Sequence, residues 1–165
     1  VSESGREIVL YRVEAGENAD EALYETGRYF YHRLLSLYNP AWEGNRVNYF
    51  SYEVNCLGRS HAFRDPEYFE SHNNYLRAAG SFDRIWKEFR DSPRRAAALY
   101  SSGTAHLKAV TLNRFSVFRR TREQLLNESI ARYERLVREH ANDPLAEDAK
   151  TMIRTVRNLQ AETGR

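Results

Sequence analysis

The stretch Ala22-Leu23-Tyr24-Glu25-Thr26-Gly27 returns as Ala98-Leu99-Tyr100-Ser101-Ser102-Gly103, an internal match within a chain of 165 residues. A helix-hairpin unit cannot bury its own apolar side, so such units stack and their sequences echo one another. The match predicts an all-α chain, an α-solenoid of about six antiparallel helices, whose product is a surface and not a reaction.

Apolar spacing extends that prediction in both directions. Leu23, Gly27, Phe30, Tyr31, Leu34 and Tyr38 fall at steps of three and four, a helix over 19–38 that Asn39-Pro40 ends. A second helix carries Phe50, Val54, Leu57 and His61, and Asp65-Pro66-Glu67 opens a third as N-cap and first-turn proline. That third pattern holds Tyr75, Ala78, Ala79, Phe82, Ile85, Trp86 and Phe89 before Asp91-Ser92-Pro93, with Gly80 inside it as a mark of a kink or close packing. The fourth helix spans 94–110 on a stripe of Leu99, Gly103, Leu107 and Val110, and 111–121 breaks the period as a long loop. Leu125, Ile130, Tyr133 and Leu136 define the fifth helix, up to Asn142-Asp143-Pro144, and Leu145, Ala149, Ile153 and Val156 the sixth. Residues 1–18 form a lead-in whose Ile8, Leu10, Tyr11 and Val13 fit a short strand or one helical turn equally; 19–165 form one repeat domain.

A second register links the third and fifth helices. Ala78 matches Ser129, Phe82 matches Tyr133, Ile85 matches Leu136 and Pro93 matches Pro144, each pair 51 residues apart. Small residues at one position let helices approach, and a ring at another fills the gap, which is a packing requirement and not a chemical one.

Composition sets outer bounds. Hydrophobic residues at 41%, with only 8 Gly and 4 Pro, favour long elements over turns. A net charge of +2, from 25 basic and 23 acidic residues, gives no global pull toward nucleic acid or anionic lipid. Cys56 is the one cysteine, so neither an intramolecular disulfide nor a thiolate zinc cage forms, and no compartment is excluded. No apolar run approaches the roughly 20 residues that cross a bilayer. The chain opens on Val1, so the absence of a leader is uninformative, and membrane association through a complex or a missing anchor stays open.

An apolar residue, two spacers, a further residue with glycine, then two spacers and a ring resembles helix A of the tetratricopeptide repeat. It occurs as Leu23-Thr26-Gly27-Phe30, Val54-Leu57-Gly58-His61 and Leu99-Ser102-Gly103-His106, with histidine in place of the ring in two copies. Ala78-Phe82-Ile85 and Ser129-Tyr133-Leu136 resemble helix B of that family. The tail from Ser129 to Ala149 resembles the longer repeats of bacterial envelope members, such as the outer-membrane assembly lipoprotein and the Tol-Pal coordinator. Units here exceed the family's usual length of about 34 residues, and the 111–121 insertion is foreign to it. The resemblance implies a protein-protein interaction scaffold within a larger envelope protein or complex. It favours the periplasm or outer membrane, although the cytoplasm is also compatible.

Carried over unit by unit, the family's groove positions fall on Tyr24, Arg28 and Tyr31, on Tyr52, Asn55 and Arg59, and on Tyr100, Thr104 and Lys108. Tyrosine supplies stiff contact area, and arginine and asparagine hydrogen-bond peptide groups, so the resemblance implies a peptide or helix of a partner as ligand. The competing reading is that these tyrosines pack between helices. An alternative function rests on Arg114, Arg119, Arg120 and Arg122, which interleave with Phe115 and Phe118 and suit phosphates and stacked bases, although no RNA-binding motif accompanies them.

Catalytic and metal readings find no support in spacing. His32, His61, His72, His106 and His140 form neither Glu-x-x-His nor His-Glu-x-x-His, and His61 with Asp65 supplies at most two ligands where three or four are needed. His61 and His106 hold equivalent repeat positions, which predicts that they pack. Cys56 reads as a small buried residue. The paired carboxylates Glu17 and Asp20, and Glu67 and Glu70, lie near helix N-termini, where negative charge favours the helix dipole. The expectation is a non-enzyme with no cofactor and no metal.

Overall fold

The computed structural model describes residues 18–32, 70–71, 73–112 and 119–163. Among these residues the chain is entirely helical: α1 (Ala19–His32), α2 (Asn74–Glu88), α3 (Arg95–Leu112), α4 (Arg122–Glu139) and α5 (Leu145–Thr163). They correspond to the expected first, third, fourth, fifth and sixth helices. The expected second helix, the 1–17 part of the lead-in and the Asp65-Pro66-Glu67 start lie outside the described residues.

Local chemistry sets the helix starts. The Asn73 side chain accepts from the Leu76 amide at 3.1 Å, so Asn73 caps α2. Thr121 and Gln124 form a reciprocal capping box on α4: the Gln124 amide donates to Thr121 Oγ1 at 3.1 Å, and the Thr121 amide to Gln124 Oε1 at 2.7 Å. The Asp143 carboxylate accepts from the Leu145 amide at 2.9 Å, and Glu147 and Asp148 follow in the first turn of α5.

Each helix packs on the next in the chain, and α3 also touches α5. Neighbours run antiparallel. The start of α1 meets the α2–α3 turn, where Ser92 Oγ donates to Asp20 at 2.5 Å and Arg94 grips Glu21 through two nitrogens. Its far end meets the start of α2, where the Tyr31 and Tyr75 rings lie 5.5 Å apart. The start of α3 likewise reaches the end of α4 through Arg95 and Glu139, and the end of α5 reaches the start of α4 through Gln160 and Asn127.

Two apolar clusters share α3. One joins Leu23, Phe30, Ala78, Phe82 and Ile85 to Ala98 and Ala105; the other joins Leu99, Ala109 and Val110 to Leu125, Tyr133, Leu136 and Val156. Helix α3 is therefore buried well beyond its expected stripe, because Ala96, Ala98, Ser102, Ala105 and His106 are covered as well. Its alanines and serine let two neighbouring helices approach it from different sides.

Both sequence registers meet in one repeated contact. The Phe82 ring covers Gly27 with the Tyr24 ring tilted against it at 5.4 Å, and the Tyr133 ring covers Gly103 with the Tyr100 ring against it at 5.5 Å. Ala22 and Ala98, Leu23 and Leu99, Thr26 and Ser102, and Ala78 and Ser129 are buried in matching pairs. The α1–α2 crossing thus recurs as the α3–α4 crossing. Gly80 meets one of its two expectations with a negative. It is exposed with nothing within 4 Å of where a Cβ would stand, so close packing does not account for it.

Candidate binding cleft

The face that α1 and α3 present beside these crossings forms a cleft of about 260 Å³. Phe82 of α2 contributes to its lining, α1 supplies Tyr24, Arg28, Tyr31 and His32, and α3 supplies Tyr100, Ser101 and Thr104. Five of the nine sequence-predicted groove residues are thereby brought together. Lys108 lies one turn beyond Thr104, exposed and outside the cleft lining, whereas Tyr52, Asn55 and Arg59 lie outside the described residues.

The three tyrosines pack and line at once. Each is half-buried with a ring contact behind it: Phe82 behind Tyr24, Tyr75 behind Tyr31 and Tyr133 behind Tyr100. The Arg94 guanidinium lies 4.9 Å from the Tyr24 ring centre, which fixes that ring further. Burial raises the Tyr31 and Tyr100 phenols, helped by neighbouring tyrosines at Tyr31 and by Asp148 at Tyr100. Burial also pushes Tyr133 up to about 12 despite its hydrogen bond with Thr104 Oγ1 at 2.9 Å. The phenols are therefore neutral near pH 7 and can act as donors and acceptors. Arg28 is exposed, and Glu25 takes one of its nitrogens at 2.9 Å.

The basic segment is tied into the fold. Arg120 donates to Glu70 through both its backbone amide, at 3.0 Å, and its Nε, and its guanidinium reaches Glu128 at 3.9 Å. This gives Glu70 a partner in the fold besides any helix-dipole role and engages Arg120 within the protein. Arg119 and Arg122 also have partners, and Arg114 lies outside the described residues. Asp20 likewise accepts from Ser92 beyond any dipole role. Glu17, Cys56, His61, His72 and Glu67 lie outside the described residues.

A buried charge chain, absent from the sequence reading, runs beside the crossings. Asp83 of α2 accepts from Arg132 at 2.7 Å, from Ser102 at 2.6 Å and from Trp86 at 3.2 Å. Arg132 also reaches Glu128 at 2.7 Å, and Glu128 meets His106 Nε2 at 3.3 Å. His106 is buried, as its repeat position predicts, and its other ring nitrogen lies 2.9 Å from the Ser102 carbonyl. Both nitrogens face acceptors. Burial pushes the Asp83 carboxyl up, but Arg132, Ser102 and Trp86 outweigh it and hold it below the ordinary range. The His106 hydrogen bond, aided by Arg132 and Arg120, holds Glu128 at about 2 against the cost of burial. Through Ser102 and His106 this network joins α3 to α2 and α4 beside the crossings from which the cleft is built.

Among the described residues no group of three His, Cys, Asp or Glu is placed to hold a metal, and no helix is long and apolar enough to cross a membrane. In comparisons with known proteins, the chain matches no family model, no curated protein and no solved structure.

Proposed function

We propose that the chain is a tetratricopeptide-like repeat scaffold whose α1–α3 cleft binds an extended segment or helix of a partner protein. One observation supports this most: five of the six residues that the resemblance assigns to the groove in two units, among them Tyr24 with Tyr100 and Arg28 with Thr104, each 76 positions apart, line a single cleft. In that reading the Gly27–Phe82 and Gly103–Tyr133 crossings belong to two of the repeats, and the stack is an α-solenoid. The outer side of α5, with Glu147, Lys150, Thr151, Arg154 and Asn158 exposed, fits a polar capping helix. The envelope setting rests on the resemblance of the 129–149 tail alone.

The test is a pull-down from the source cell with the Arg28→Ala, Tyr100→Ala double variant. The reading expects retained helical circular dichroism and loss of a partner that the parent chain recovers. Equal recovery by both chains contradicts the groove.

A further inference from the structure

The cleft is small, its walls are aromatic, and its charge is one-sided. At about 260 Å³ it has room for a large side chain and little more, the size of an anchor that a partner inserts. Tyr24, Tyr31, Phe82 and Tyr100 offer ring edges and faces to that anchor. Such walls suit an aromatic side chain or, by cation–π attraction, a basic one.

Charge decides between the two. Arg28 lines the cleft with a side chain about half exposed, His32 stands beside it, and no carboxylate is among the described lining residues. Glu25 occupies part of Arg28, and both Arg28 and His32 stand on α1, so the basic end of the cleft lies at α1. A lysine or arginine anchor would enter against Arg28, whereas a carboxylate next to an aromatic anchor would meet it.

Building on the groove reading, we infer that the cleft takes an aromatic side chain of a partner's extended segment, with an acidic residue beside it seated against Arg28. The aromatic ring contacts Tyr24, Tyr31 and Tyr100, and the carboxylate lies toward α1. Affinity comes from the ring and selectivity from the charge.

The test titrates the ¹⁵N-labelled chain with acetyl-Ser-Gly-Glu-Phe-Glu-Gly-Ser-amide and follows the amide signals of Tyr24, Arg28, Tyr100 and Ser101. Replacing both glutamates of the peptide by glutamine should weaken binding about fivefold, and by lysine about tenfold or more, as for partly exposed charge pairs. Replacing its phenylalanine by alanine should abolish binding. In Arg28→Gln the three charge forms should bind alike, with the dependence on phenylalanine kept. A lysine peptide that binds as tightly as the glutamate peptide, with shifts still at the cleft, overturns the acidic occupant and leaves the groove reading standing. Failure of every peptide to shift the cleft signals overturns both.

Discussion

The Tyr133 ring lies so close over Gly103 that a methyl group on that glycine would stand 2.9 Å from ring atoms Cε1 and Cζ. Real side chains do not approach so closely. Tyr133 is fully buried and its hydroxyl is held by Thr104, so the ring cannot swing away cheaply. Overpacking of this kind costs about 1–3 kcal/mol, and the helix preference of alanine returns up to about 1 kcal/mol. The net loss of up to about 2 kcal/mol predicts that Gly103→Ala lowers Tm by up to roughly 8 °C in thermal circular dichroism.

Gly80 sits on an open helix face, so the same substitution there has the opposite sign. With no atom within 4 Å to meet a new methyl group, Gly80→Ala reduces only the freedom of the unfolded chain and of the helix backbone. A gain of about 0.5–1 kcal/mol is expected, read as a rise in the urea midpoint. A fall in that midpoint would contradict the exposed setting of this turn.

Asp83 and Arg132 are each more than four-fifths buried and join at 2.7 Å. Removing Asp83 leaves the largely buried Arg132 with Glu128 as its remaining carboxylate, so the loss approaches but stays below the about 3–5 kcal/mol of a fully stranded charge, whereas replacing both with apolar residues removes the desolvation penalty as well. Asp83→Ala should therefore be strongly destabilised in urea unfolding. The pair Asp83→Leu with Arg132→Met should recover most of that loss.

The depressed carboxyls set the acid limb of the stability profile. Glu128, at about 2 in the folded chain against an ordinary 4.5, binds its proton more readily when unfolded. Its contribution is complete above about 4.5 and is lost as pH falls toward about 2; Asp83 acts in the same direction. Tyr133 sets the alkaline limb. Its folded value of about 12 lies above the ordinary 10.0, so stability is retained below about 10 and lost as pH rises toward about 12. Denaturation midpoints measured across pH should show both limbs, and Glu128→Gln should flatten the acid one.

The sequence makes the crossings legible because they are local demands of geometry. A glycine in the helix interior, with a ring 51 positions from its counterpart in another helix, leaves a mark that packing alone explains. Tyr24 and Tyr100 are carried onto the cleft by the same repeat. The charge chain leaves no such mark. Asp83 is flanked by Arg84 and Lys87 and resembles a solvated helix face, while its partner Arg132 lies 49 positions away with no periodic relation to it. Gly80 misleads for the converse reason: a helical glycine signals close approach only when its face is inward, and one residue of phase separates Ala79, buried, from Gly80, exposed. Arg120 resembles a free basic contact because its acceptor, Glu70, lies 50 residues upstream.

The central claim is that a ring from one helix needs the missing Cβ of its neighbour at each crossing. A double-mutant cycle on Gly27→Ala and Phe82→Leu measures this directly, since a methyl group on Gly27 would lie 2.5 Å from Phe82 Cε1. The cycle should yield a coupling of about 1 kcal/mol or more, with the double variant more stable than the sum of the single losses allows. Additive losses, or a Gly27→Ala chain as stable as the parent, would contradict the repeated glycine–ring crossing.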